Sequence, residues 1–385
     1  MITLILYNGV VLPLENEMEQ YEAIYVENGT IKRLGTNKDI LKLKKDDSEM
    51  IDMQGSCLIP SFIAAYVTLP SDETLQNEFL NTQNKYASYG ITTILEANTT
   101  KETYHLLTDA SKQYELKLDV VSYVTDQMAK ELLAGHYSPD TSYYNHYRIG
   151  GLIAHLDEAT LKTEKKTIFY HRCLYYLKRY WQMNIHCNCQ EACEQFLAIY
   201  EKAKKTVPVS IGLRPNIMHT PYLRKELLRK MKKNGIQPTF CLDEDLLLDA
   251  SHEDYVCWQR RSCHTNPVKT AQELGLSFGF YHDTLSDMPN ILYSVHNMVN
   301  GLSYSGKKTS LHQVLTPFEA LRAVTFNAAY QIFEEELKGT LKPGKLADFT
   351  LLSANPLTCK QEEIKDIKVL ATFKEGTKIF PNKTE

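Results

Sequence analysis

Apolar and polar positions alternate with a period of two at both ends of the chain, and with longer helical spacing between them. Leu4, Leu6 and Val10 are followed by Ala23, Ile24, Tyr25 and Val26, then by Glu27, Asn28, Gly29 and Thr30, then by Ile31. Asn-Gly between two apolar runs is a strong hairpin signal, because both residues accept positive φ. The other end repeats the style, with Val369 to Phe373, a turn over Lys374, Glu375, Gly376 and Thr377, and Lys378 to Phe380. The two ends are therefore expected to pair. Between them, helical patterns over 72–89, 169–181 and 191–205 alternate with short apolar runs, which predicts a parallel sheet whose strands are joined by helical crossovers.

The stretch 315–358 is the densest in local signals. Thr316 with Glu319 three residues on is a capping-box pattern, and Pro317 stands where a missing N–H costs nothing. A helix through Leu321, Val324 and Ala328 is predicted. A turn at Lys342, Pro343, Gly344 and Lys345 and a short strand over Ala347 to Leu352 should follow.

Ordered motifs accompany it. Asp52, Gly55, Ile59, Pro60 and Phe62 stand before a first inner strand, and Tyr89-Gly90-Ile91-Thr92-Thr93 opens a second. Arg148-Ile149-Gly150-Gly151-Leu152-Ile153, Met183-Asn184-Ile185-His186, Asn216-Ile217-Met218-His219 and Phe278 to Asp283 complete the series. Together these resemble the amidohydrolase superfamily, in its amidohydrolase-3 branch, shortened between the first and third barrel strands. The resemblance implies an α/β fold, a (β/α)8 TIM-type barrel over 57–339 beside a small β-sandwich made from residues 1–56 plus 340–385. It also implies a metal-dependent hydrolase whose active site lies at the C-terminal ends of the strands.

Departures from the family pattern matter as much as matches. Where the first strand usually ends in Asp-x-His-x-His, the chain reads Ala64-Ala65-Tyr66-Val67-Thr68, and where a metal-bridging lysine is usual it has Ile153. A two-metal centre is therefore not expected. His186 and His219 match positions that hold the inner metal, and Asp283 matches the aspartate that shuttles a proton. Two histidines need a third protein ligand to leave a catalytic ion one open position. Strand alternation puts His155 and Asp157 on the same face as Ile153, so either is a candidate. The resemblance thus implies one divalent ion, zinc foremost, and hydrolysis of a non-peptide carbon–nitrogen bond such as an amide or cyclic amide. The alternative is an inactive family member kept as a binding or regulatory scaffold. Arg214 and Tyr66 are candidate substrate-binding residues. The run His186-Cys187-Asn188-Cys189 with Cys193 also suggests a soft-metal site, but alternation turns the first two cysteines away from His186.

Composition narrows the partners. Of 385 residues, 43% are hydrophobic and 23% charged, ordinary values for a globular enzyme. With Lys+Arg 43 against Asp+Glu 47 the net charge is −4, so no global basic field attracts nucleic acid. Lys202 to Lys205 and Arg229 to Lys233 read as solvated helix faces. The sequence holds no run of about 18 apolar residues for a membrane span, and its start lacks the basic region of a signal peptide. Nine cysteines in such a chain suggest reduced thiols and a cytoplasmic setting. The expected partner is a small-molecule substrate, and a homodimer is left open.

Overall fold

The computed structural model describes residues 3–69, 75–135, 137, 141–156, 160, 165–187, 189–207, 212–218, 223–241, 266–281, 289–302, 306 and 312–381. Its centre is a parallel eight-stranded sheet whose strands neighbour one another in chain order. They are Phe62–Val67, Ile91–Thr99, Asp119–Val124, Tyr147–Leu156, Gln182–Cys187, Asn216–Met218, Gln237–Cys241 and Gly279–Tyr281. The last lies against the first, closing a (β/α)8 TIM-type barrel. Helices including Leu75–Ser88, Lys101–Lys112, Lys166–Leu177 and Gln190–Thr206 surround it.

Alternation along each strand decides which side chain enters the barrel. Leu152, Ala154 and Leu156 pack outward into the layer shared with the helices, whereas Ile153 packs inward with Ile63, Leu95, Ala97, Val121 and Tyr123. Strands approach closely around Gly150 and Gly151. A Cβ on Gly151 would stand 2.3 Å from the Gln182 carbonyl oxygen, and one on Gly150 would stand 2.6 Å from Val121. A side chain at Gly151 would have to move backbone, and one at Gly150 would press on the Val121 and Tyr123 side chains.

The ends of the chain do pair. Phe349–Leu352 runs antiparallel to both Cys57–Pro60 and Val369–Lys374 in a five-stranded sheet that also takes in Val10–Val11. The Asn-Gly hairpin forms between Ala23–Glu27 and Thr30–Gly35, with φ of 50° at Asn28 and 72° at Gly29. It is fastened to the far end of the chain by Ile31 N–H on Lys345 and Ala347 N–H on Gly29.

One predicted helix is two. The capping box at Thr316 and Glu319 forms and starts a helix over Pro317–Ala323, but a second begins at Phe326 and runs to Gln331. The break has two causes. The Val324 carbonyl accepts the amide of Ile63 on the first barrel strand at 2.9 Å, and the Thr325 hydroxyl donates to the Leu321 carbonyl at 2.8 Å. Side-chain competition for backbone acceptors interrupts a helix in this way. The diverted segment sends Ala328, Ala329 and Ile332 into the barrel interior cluster, plugging the end where the strands begin.

At that same end lies a buried ion network. Arg148 forks onto Glu334 at 2.6 and 2.8 Å, Lys338 pairs with Glu334 at 2.8 Å and with Asp119, and Lys374 joins Asp119 at 3.0 Å to Asp348 at 3.1 Å. Burial raises the pKa of Asp119, yet Lys338 and Lys374 outweigh it and hold the carboxyl well below its ordinary range. Glu334 is likewise held down against burial, by Lys338 and Arg148. Alternating signs let each buried charge compensate its neighbours, whereas a single unpaired one costs several kcal/mol.

Candidate active site at the C-terminal end of the barrel

His155 and His186 stand on adjacent strands in direct register, two residues beyond Ile153 and Asn184 on the inward face. Their ring centroids are 5.0 Å apart with planes tilted by 44°. His155 is exposed and His186 half-buried, so both sit where the barrel opens. Tyr66, near the end of the first strand, packs against the inward cluster. These three of the sequence candidates share the mouth of the barrel.

His219, Asp283 and Asp157 lie outside the described residues; in sequence, His219 directly follows the strand Asn216–Met218. Arg214 requires a correction. It precedes that strand and is therefore at the opposite end, where its guanidinium pairs with Glu335 at 2.6 Å and stacks on Tyr330 at 3.6 Å. Positive φ at Arg214, 39°, turns the chain just ahead of the strand, which places the side chain beside the Phe326–Gln331 helix instead of over the mouth.

Cysteine chemistry is equally decided by alternation. Cys187 and Cys193 are buried in the outer layer, and burial pushes both thiols far up, which keeps them protonated. Cys187 stands on the face of its strand opposite His186. No disulfide joins any two of the seven described cysteines.

Two polar features of this half of the barrel were missed by sequence reasoning. Glu96 is fully buried near the end of the second strand, where it accepts the Asn98 amide at 3.2 Å, the Leu69 amide at 3.5 Å and the Thr99 hydroxyl. Burial raises its pKa to about 7, although all three donors favour the ionised form. It thereby ties the second strand to the segment leaving the first, and its signal was a lone acid inside the apolar run Ile91 to Ala97. Beneath His186, Asn216 donates to Asn184 at 2.8 Å while its own Oδ1 lacks a partner among the described residues. An asparagine shortly before a histidine, two places in Asn184–His186 and three in Asn216–His219, was the available sign.

Whether these donors suit a metal can be asked of their chemistry. Two imidazoles sharing one tetrahedral ion at about 2.0–2.1 Å per nitrogen would hold their ring centres on the order of 5 Å apart, matching the pair seen here. One other set, Asp119, His146 and Glu375, brings its ligand atoms within 4.8 Å of one another. It suits a cation poorly, because the Asp119 carboxylate already carries Lys338 and Lys374 and lies at the beginning of its strand.

Comparison with known proteins bears on this architecture. The amidohydrolase family model matches residues 59–380. An adenine deaminase from Lactobacillus delbrueckii subsp. bulgaricus is 24% identical over 336 residues, covering 86% of this chain and 51% of the relative. The chain thus spans about half the length of the curated relative it matches. Among solved structures, an uncharacterized metal-dependent hydrolase from Pyrococcus horikoshii OT3 superposes with a TM-score of 0.75 at 14% identity, over 93% of this chain and 99% of its own. An adenosine deaminase from Xanthomonas campestris with bound zinc gives 0.70 at 13% identity, over 98% and 92%. Likeness at these identities concerns the fold.

Proposed function

This chain belongs to the amidohydrolase family, and from that premise we propose that it hydrolyses a non-peptide carbon–nitrogen bond, in an amide, a cyclic amide or an amino-substituted ring, with one divalent ion. The observation that carries the reading is the facing pair His155 and His186 at the mouth of the barrel. Zinc would be held by His186, His219 and one of His155 or Asp157, with Asp283 as general base and then general acid. Such an ion supplies Lewis acidity and brings the pKa of water from 15.7 to about 7.

This chain's own residues do the remainder. Asp283 takes the proton from attacking water and returns it to the leaving nitrogen, so that the amine departs neutral. Tyr66 flanks the pocket where the family more often has a ligand. Ile153 offers no bridging group and keeps the interior below the site apolar, which supports one ion and not two. The adenine deaminase likeness makes adenine one member of the substrate panel.

The test is elemental analysis of untagged protein purified without added metal, beside a His186→Ala/His219→Ala variant. About one equivalent of zinc, iron or manganese is expected in the parent and none in the variant. Absence of metal in the parent even after reconstitution would sink the hydrolytic reading and leave a binding scaffold. A metal-loaded parent is then screened against amides, cyclic amides and aminopurines, with Asp283→Asn expected to lose turnover by about 10²-fold or more while keeping its metal.

A further inference from the structure

A cleft of about 580 Å³ opens at the end of the barrel opposite His155 and His186, between the helix Lys225–Asn234, the segment entering the last strand and the helices Pro317–Ala323 and Phe326–Gln331. Gln237, the first residue of its strand, and Phe278, just ahead of Gly279, both line it, which fixes its place at the beginning of the strands. Its volume lies within the range of about 300–1,000 Å³ usual for small-molecule sites.

Three properties of the walls define what would fit. Phe318 and Phe326 supply flat apolar surface, with the Arg322 guanidinium 4.2 Å over the Phe326 ring and 5.7 Å from that of Phe318. Lys232 and Arg322 are cations that hydrogen-bond backbone carbonyls, of Leu274 and Leu14, and neither has a carboxylate within ion-pair distance among the described residues. The acid in the wall, Glu319, is taken by Lys269 at 3.0 Å. Finally, Gln237 Oε1 and Ser277 Oγ are buried without hydrogen-bond partners among the described residues, and Gln237 is only 6% exposed. A buried polar atom left unmatched costs about 1–3 kcal/mol, so the cleft wall holds two unmatched oxygens beside its rings and two cations without a carboxylate at ion-pair distance among the described residues.

We propose that the cleft is a second, non-catalytic binding site for a nucleoside monophosphate. Its base would lie against Phe318 and Phe326, its ring N–H or amino groups would reach Gln237 and Ser277 once those side chains turn their now covered oxygens towards the cleft, and its phosphate would meet Lys232 and Arg322. Stacking accounts for the rings, charge-assisted hydrogen bonds for the cations and donor matching for the orphan acceptors. The site is independent of the reading of the barrel mouth, because the strand Gln237–Cys241 alone separates the two ends by its five-residue length, roughly 13 Å.

Calorimetric titration of the full chain with the 5′-monophosphates of adenosine, guanosine, uridine and cytidine tests this without reference to turnover. At least one should saturate with a Kd below about 1 mM. Its affinity should fall ten-fold or more in Lys232→Glu and in Phe318→Ala, two changes of solvent-reachable side chains whose variants must keep the parent melting temperature. It should be unaffected in His155→Ala/His186→Ala. Inorganic phosphate and the unphosphorylated nucleoside should each bind at least ten-fold more weakly. No saturation by any of the four would overturn the proposal. So would phosphate alone binding as tightly, which marks a simple anion patch, or binding lost in the histidine variant but kept in the cleft variants, which moves the nucleotide to the barrel mouth.

Discussion

The two ends of the barrel spend their polar residues differently. Where the strands begin, Arg148, Glu334, Lys338, Asp119, Lys374 and Asp348 form alternating contacts, and the helix Phe326–Gln331 closes the interior. Where they end, His155 faces His186 and, among the described residues, Asn216 keeps an unmatched acceptor beneath. The buried charges of one end are compensated pair by pair, whereas the other end brings two imidazoles together. The difference teaches that the buried ion network and the candidate site are kept apart by the length of a strand, the division usual in barrels of this kind.

Breaking the satisfied end should give the largest effect. Lys338→Met strands Asp119 and Glu334 in a buried environment, and a loss of roughly 3–5 kcal/mol in unfolding free energy is expected from urea titration at neutral pH. A loss under about 1 kcal/mol would mean that water reaches the network and that the contrast between the ends is weaker than drawn. Acid should act in the same direction. Because the folded pKa of Asp119 is depressed, its contribution is present above the unfolded value near 4 and is lost as pH falls below that.

Glu96 belongs to the mouth half yet is buried, so it sharpens the comparison with an opposite sign. Its pKa is raised from 4.5 to about 7, so the folded state binds more protons than the unfolded one across that window. Stability from this group is therefore full below about pH 4.5 and declines as pH rises towards 7, by roughly 3 kcal/mol. Glu96→Gln should remove that component, so the stability difference between variant and parent should shift in the variant's favour between pH 5 and pH 8. Equal differences at both pH values would show that Glu96 is ionised throughout.

The smallest effect is expected at the histidines themselves. His155→Ala/His186→Ala, measured metal-free, should change unfolding free energy by no more than about 0.5 kcal/mol, since one side chain is exposed and the other half-buried. A loss of 2 kcal/mol would mark the pair as a packing element and remove the contrast.

Local chemistry made much of the frame legible beforehand. The Asn-Gly hairpin, the Thr316–Glu319 capping box and the alternating run around Ile153 each depend on neighbours a few residues apart, and each formed. The strand carrying His186 and the helix Gln190–Thr206 after it were readable for the same reason. The helix expected through Val324 was not, because an amide from Ile63, distant in sequence, claims its carbonyl. Arg214 was misplaced because a strand's position in sequence does not say at which end a side chain before it will find a partner. Glu96 and Asn216 went unnoticed because their importance lies in what is buried around them.

What the sequence determined by itself is the order of strands and helices, which face of each strand turns inward, and the family to which the pattern of motifs belongs. These follow from periodicity and residue type, which act over short range. Only the tertiary structure decided that His155 meets His186 at 5.0 Å, that six charges interlock at the far end, and that a cleft with two unmatched acceptors opens beside them. Those facts depend on closure of the barrel, which brings together residues separated by up to more than two hundred positions and sets their desolvation, and burial is a property of the packed whole.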